Sequence, residues 1–245
     1  MTAPVFVADR LEAGPAPFVL DGAEGRHAVS VKRLQPGERV VLTDGAGRWA
    51  GGEVSATEGK DRLVVRLDPV TEEPPPSPRI TVVQALPKGD RGELAVETMT
   101  EVGVDAIVPW AASRCITQWK GERGLKALGK WRATAREAGK QSRRVRFPEV
   151  ADAATTKQVA ALLAGADFAA VLHESGRERL ATAELPALGE IVLVVGPEGG
   201  VSPEELALFA EAGAGPYVLG PTVLRTSTAG TAAAALLLGR TGRWS

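Results

Sequence analysis

From Ile80 onward the sequence alternates uninterrupted apolar strand segments with helical ones, and this rhythm constrains the fold more than any other feature. ITVVQAL (80–86), DAIVPW (105–110), DFAAVL (167–172) and EIVLVV (190–195) lack the polar alternation of a strand with one wet face. Strands apolar on both faces belong to a parallel sheet covered on both sides, and parallel neighbours need crossover connections. The sequence supplies them as RGELAVETMTEVG (91–103), a basic segment near 121–142, TTKQVAALLAG (155–165), SPEELALFAEAG (202–213) and STAGTAAAALLLG (227–239). With PYVLG (216–220) as a further strand, the pattern predicts an α/β fold with helices on both faces of a parallel sheet. No solenoid-type repeat interrupts it.

The first 70 or so residues read differently. VFVADR, RVVLTDG, WAGGEVSA and DRLVVRLDPV are short β-formers separated by turn signals, predicting a small β-barrel or sandwich. EGRHAVSVKRL (24–34) suits a short helix carrying Arg26, His27, Lys32 and Arg33. TEEPPPSPR has four prolines in nine residues and favours an extended connection. The predicted organisation is a β domain over 1–72, a linker over 73–79 and the α/β domain over 80–245.

Composition narrows the chemistry. One cysteine, Cys115, excludes an internal disulfide framework and a cysteine-based zinc site, and suits a reducing cytosol. Two histidines, His27 and His173, argue against a multi-histidine metal centre, so no metal is expected. MTAPVFVADR lacks a basic segment followed by an apolar core, so no signal peptide is expected and the predicted location is the cytoplasm. No apolar run is long enough for a membrane helix. The net charge of -1 hides an asymmetry. Between Trp119 and Arg146, ten basic residues, among them Lys130, Arg136, Lys140, Arg143 and Arg144, face two acids, whereas the remainder holds 19 basic and 28 acidic residues. A cationic strip on an acidic protein points to a polyanionic partner, although a solvated helix face accounts for many such runs.

Ligands of open α/β sheets sit beyond the carboxyl ends of strands. Three such ends are unusual here: Leu172-His173-Glu174-Ser175-Gly176, Gly196-Pro197-Glu198-Gly199-Gly200, and Gly220 through Thr228. In the second, Ser202, Pro203 and Glu205 form a capping box that accounts for the helix start but not for GPEGG before it. Its glycines permit positive φ and close backbone approach, offering bare N–H and C=O groups to a flat heterocycle. GPEGGV is not G-x-G-x-x-G and no P-loop occurs, and Glu198 would repel a phosphate but welcome a cation. A merely tight strand-to-helix connection is the competing reading. In the third end, Thr226, Ser227 and Thr228 are expected to cap the Ala-rich helix. Arg225 stands at a helix start, where the dipole disfavours a cation, so it is either a solvated residue or a functional one. The Ala-rich helix suits core packing or a dimer seam.

GPEGGVSPEEL (196–206) followed by LGPTVLRTSTA (219–229) resembles the RsmE family of 16S ribosomal RNA uridine-N3 methyltransferases, within the SPOUT superfamily. PKGDRGE, TEVGV, SRC, KW and QS-R follow the family's order, so the likeness spans essentially the whole chain. The resemblance implies a PUA-like RNA-binding N-terminal domain, a SPOUT-type trefoil-knotted parallel sheet, a homodimer and S-adenosyl-L-methionine as methyl donor. It implies 16S rRNA of the small ribosomal subunit as substrate. Donor contacts would come from Leu172, His173, Glu174, Val195, Gly196, Glu198, Gly200, Leu219, Gly220, Pro221, Leu224, Thr226, Thr228 and Ala229. RNA contacts would come from Arg26, Lys32, Arg33, Lys88, Arg91, Arg114, Lys130, Arg136, Lys140, Arg143 and Arg144. Glu198 is compatible with facing the sulfonium or an RNA-binding arginine.

The chain departs from the family pattern at Thr98, where lysine is common, at Ser227, where glutamate is frequent, and at Lys140, where glutamate usually precedes Gln-Ser. A glutamate base at 227 is therefore unavailable. Uracil N3 must lose a proton as it is methylated, so a base or an oxyanion stabiliser is needed. Arg225 is assigned to the uracil or its developing charge, as the catalytic residue. His173 is read as a structural, tautomer-locked residue. A tRNA methyltransferase of the same superfamily and a non-catalytic RNA-binding protein of the same fold are the alternatives.

Overall fold

The computed structural model describes residues 3–11 and 17–244, and these fall into two compact units. One comprises residues 1–75 together with Arg136–Phe147, the other Pro76–Ala135 together with residues 148–245.

The first unit is built on a six-stranded sheet: β1 (Val5–Val7), β2 (Phe18–Leu20), β3 (Arg39–Thr43), β4 (Arg48–Glu58), β5 (Arg62–Leu67) and β6 (Thr71–Glu72). The order is β1-β3-β4-β5-β2, with β6 on β4, and every pair except β1–β3 is antiparallel. Phe6, Leu42, Val54, Leu63 and Val65 form its core at the alternate positions a half-buried strand requires. Helix α1 (Gly22–Arg26) continues as a π-helical turn, His27–Val31, and Arg26, Lys32 and Arg33 are exposed on and just after it.

The sequence reading kept 136–147 within the C-terminal domain, whereas the structure gives this segment to the first unit. Three kinds of contact hold it there. Lys140 Nζ lies 2.9 Å from Glu24 Oε1. Thr43 Oγ1 donates to the Val145 carbonyl at 2.6 Å. The Phe147 N–H donates to the Gly45 carbonyl at 2.8 Å. Backbone pairing of this kind is invisible to composition.

The second unit contains β7 (Arg79–Ala85), α2 (Arg91–Val102), β8 (Ala106–Trp110), most of α3 (Gly121–Gln141), β9 (Glu149–Val150) and α4 (Thr156–Ala164). It continues through β10 (Phe168–Leu172), β11 (Glu178–Arg179), β12 (Glu190–Val195), α5 (Pro203–Glu211), β13 (Gly215–Val218) and α6 (Thr226–Arg240). Its seven strands run β11-β13-β10-β12-β7-β8-β9, and every pair is parallel. The predicted parallel sheet is therefore present, with two short strands, β9 and β11, that no apolar run announced. Ile191 through Val194 are fully buried, which explains why β12 carries no polar alternation. Of the apolar residues on α3, Leu128, Trp131, Ala135 and Ala138 are buried, but Leu125 is 72% exposed. The Trp131 ring meets Trp119 edge-on at 4.9 Å. A Cβ at Gly92 would come within 2.6 Å of that indole, so α2 can approach α3 only without a side chain there.

Candidate active site

The three unusual strand ends meet because β12, β10 and β13 are consecutive neighbours in the sheet. Their carboxyl-terminal turns, all in the second unit, surround one cavity of about 670 Å³. That is the size range of a small-molecule site.

Each turn is shaped by local chemistry. In GPEGG, the Gly200 N–H donates to the Pro197 carbonyl at 2.9 Å, and Gly200 has φ +73°, the left-handed region open to glycine. The capping box then forms as expected: the Glu205 N–H donates to Ser202 Oγ at 3.2 Å, and the Ser202 N–H donates to Glu205 Oε2 at 3.1 Å. Buried Glu205 has a second task. Its Oε1 accepts from the Ser113 N–H at 2.8 Å and from Thr156 Oγ1 at 3.1 Å, tying the β8–α3 connection and the start of α4 to this turn. Glu205→Ala leaves the Ser113 N–H without its partner. It is expected to cost about 1–3 kcal/mol in denaturant unfolding, and a change within experimental error would show that water replaces the carboxylate. Neighbouring Glu204 is held below the usual carboxylate range, mainly by the backbone N–H it accepts and then by the Ser202 hydroxyl.

Of the predicted donor contacts, Leu172, His173, Glu174, Val195, Gly196, Glu198, Gly200, Leu219, Gly220, Pro221, Leu224, Thr226 and Ala229 line the cavity, and so does Arg225. Thr228 does not, because its hydroxyl turns back to the Arg225 carbonyl at 3.2 Å. The expected hydroxyl caps of α6 also differ. Arg225 is itself the cap residue, with no side-chain cap bond, and Thr226 Oγ1 donates to the Gly196 carbonyl at 2.8 Å. Gln84 Nε2, from the end of β7, donates to that same Thr226 oxygen at 3.0 Å, so the GPEGG turn is pinned to the α6 start through buried groups.

Sequence reasoning missed Tyr217 and Val218 as lining residues. Only the position of β13 beside β10 puts them there, and burial and Glu178 together push the Tyr217 phenol up. Arg91 and Arg114, read as RNA contacts, also line the cavity. Arg91 Nη1 lies 3.6 Å from Glu198 Oε1, and Arg114 Nη1 donates to the Gly199 carbonyl at 3.1 Å. Glu198 therefore faces an arginine. The other predicted RNA contacts are not among the residues lining it. Lys88, Lys130, Arg136 and Arg143 are exposed, Arg144 is half-buried, and Lys130 pairs with Glu93 at 2.9 Å. Lys140 is a correction: its side chain is only 7% exposed and is held by Glu24 and Glu137, so it is not available to a phosphate.

A parallel sheet whose glycine-bearing strand ends converge on one cavity, with guanidinium groups on its rim, defines a class of small-molecule-binding α/β proteins able to engage a polyanion. The sequence matches the RNA methyltransferase domain over residues 73–238 and the RNA methyltransferase PUA domain over 20–68. It is 45% identical, over all of this chain and 94% of the relative, to Ribosomal RNA small subunit methyltransferase E of Mycobacterium tuberculosis. The protein of that name from Bacillus subtilis is 28% identical over 90% of this chain and 88% of its own. A crystal structure of a Ribosomal RNA small subunit methyltransferase E from Neisseria gonorrhoeae bound to S-adenosyl methionine superposes with a TM-score of 0.82 at 28% identity, covering 98% of both chains. The chain belongs to the ribosomal RNA small subunit methyltransferase E family.

Proposed function

We propose that this protein transfers a methyl group from S-adenosyl-L-methionine to N3 of a uridine in 16S ribosomal RNA. The observation that carries the reading is the convergence of residues 172–174, 196–201 and 219–226 on one cavity that also holds Arg91, Arg114 and Arg225. The cavity suits the donor. Gly220 lines it, and a Cβ there would meet no protein atom within 4 Å, leaving room for a ligand against bare backbone. Half-buried Leu172 and Leu219 supply apolar surface for a purine ring. The names of the relatives favour ribosomal RNA over transfer RNA, and the donor-bound relative favours an enzyme over a bare RNA binder. Methylation is tested by nucleoside analysis of 16S rRNA from a deletion strain. Loss of one N3-methyluridine, restored by the gene, is the expected result, whereas undermethylated tRNA would overturn the assignment.

The same reading includes a homodimer, a substrate presented within the small subunit, a cytoplasmic location and a trefoil knot. The knot is supported by the way β13 inserts between β10 and β11 while α6 returns to pack on α2, β12 and β7. Among the described residues no helix is long and apolar enough to cross a membrane.

RNA binding through the basic strip carries its own test. Arg123 and Lys126 on α3 are exposed and form no ion pair among the described residues. Charge reversal at both should weaken RNA binding and reduce the slope of log affinity against log salt by roughly 0.7 to 0.9 per lost phosphate contact. An unchanged slope would make this face merely solvated.

A further inference from the structure

Among the described residues, three side chains lining the cavity are of types that serve as general bases: His173, Glu174 and Glu198. Local geometry separates them. His173 Nδ1 accepts from the Ser175 N–H at 3.2 Å and lies 2.7 Å from Ser175 Oγ. A neutral imidazole that accepts at Nδ1 carries its hydrogen on Nε2, so the nitrogen left over is a donor. Glu174 is exposed, and no hydrogen bond or ion pair among the described residues fixes its carboxylate.

Glu198 is fixed. Its Oε1 accepts from the Lys88 N–H at 3.2 Å and faces Arg91 Nη1 at 3.6 Å. One backbone donor and one guanidinium thus hold the first oxygen, and no hydrogen bond among the described residues engages the second. The turn that carries it is closed by the Gly200–Pro197 hydrogen bond and braced by Arg114 on the Gly199 carbonyl. A carboxylate held at one oxygen, open at the other and lining the cavity is placed to accept a proton from a bound base.

We propose that Glu198 is the proton acceptor of the methyl transfer, a role that rests on the reading of uracil N3 as the methyl acceptor. The N3–H bond breaks and its proton passes to Oε2 of Glu198. The N3 electron pair forms the bond to the methyl carbon. The carbon–sulfur bond breaks with its pair going to sulfur, so the positive sulfonium becomes a neutral thioether. As the N–C bond forms, N3–H becomes strongly acidic, so the step depends on where the acceptor stands more than on its strength. Arg225 would meet the uracil carbonyl, and the two roles are separable by mutation.

Single-turnover methylation of 16S rRNA at saturating donor and RNA, with calorimetric donor affinity and filter-binding RNA affinity measured alongside, tests the assignment. Glu198→Gln keeps an acceptor for the Lys88 N–H but cannot take the proton. It should lose about 10²-fold or more in rate, within the range for general-base removal, while both affinities stay near wild type. Glu198→Ala should be equally slow and should regain rate when formate is added, a response that a structural role would not produce. A near-wild-type rate for Glu198→Gln, a rate loss matched by an equal loss of either affinity, or no response of Glu198→Ala to formate would each overturn the assignment alone. A wild-type protein that forms no N3-methyluridine overturns the functional reading and this one with it.

Discussion

Valine at Gly220 should abolish S-adenosyl-L-methionine binding and leave the protein folded. The backbone at Gly220 lies outside the left-handed region, and no protein atom stands within 4 Å of where a Cβ would be. A Cβ is therefore accommodated without backbone strain, and the side chain takes up space in the cavity that the ligand needs. Gly200→Val gives the same loss by a different route. At φ +73° a β-branched residue is a conformational outlier, so the GPEGG turn must change shape to admit it. Calorimetry reads the donor affinity, and circular dichroism with thermal unfolding reads the fold. Donor affinity unchanged in both variants would refute the site. A loss confined to Gly200→Val would mean that the turn matters but that ligand does not approach Gly220.

These glycines were legible in the sequence because the information that shapes a turn is local. Strand, glycine turn and capping box follow one another over 190–206, and the structure reproduces the capping box bond by bond. The parallel sheet was legible for a similar reason, since double-sided burial leaves its mark on each strand separately. Strand order was not. Nothing in PYVLG says that β13 lies between β10 and β11, yet this neighbourhood is what brings Tyr217 and Val218 to the cavity. Arg91 and Arg114 illustrate the same limit. Each reads as an exposed cation near an RNA-binding surface, and only the tertiary fold sets one beside Glu198 and the other on Gly199.

Charge counting failed where a partner was distant in sequence. Lys140 contributes to the positive strip on paper, but Glu24, 116 positions away, neutralises it in a nearly buried pair. Arg136 also reaches Glu24, at 3.5 Å. The strip is accordingly less uniform than its composition, and Arg123 and Lys126 on α3 are among its exposed cations that form no ion pair with the described residues. Leu125 differs in the opposite way: helical periodicity puts it on the face of Leu128, yet it is 72% exposed. Periodicity specifies a face, not the extent of what covers it.

Arg225→Ala should lower single-turnover methylation by about 10²-fold or more, the scale for losing a preorganised oxyanion-type donor, with donor affinity little changed. The backbone of Arg225 is firmly held: its carbonyl accepts from the Thr228 N–H at 2.9 Å, the Ala229 N–H at 3.0 Å and the Thr228 hydroxyl at 3.2 Å. The guanidinium is exposed at the cavity, and no acceptor among the described residues engages it. A fixed root with an unengaged, multidentate head is poor structural use of an arginine, particularly at a helix start where the dipole opposes a cation. It is good use if a uracil carbonyl gains charge as N3 loses its proton, because the planar fork can meet that oxygen with two parallel donors. Lysine keeps the charge and loses the fork, so Arg225→Lys should recover only part of the rate. A near-wild-type single-turnover rate for Arg225→Ala at saturating donor and RNA would leave this arginine as a solvated cap residue. A loss of donor affinity as large as the loss of rate would assign it to the donor instead of the uracil.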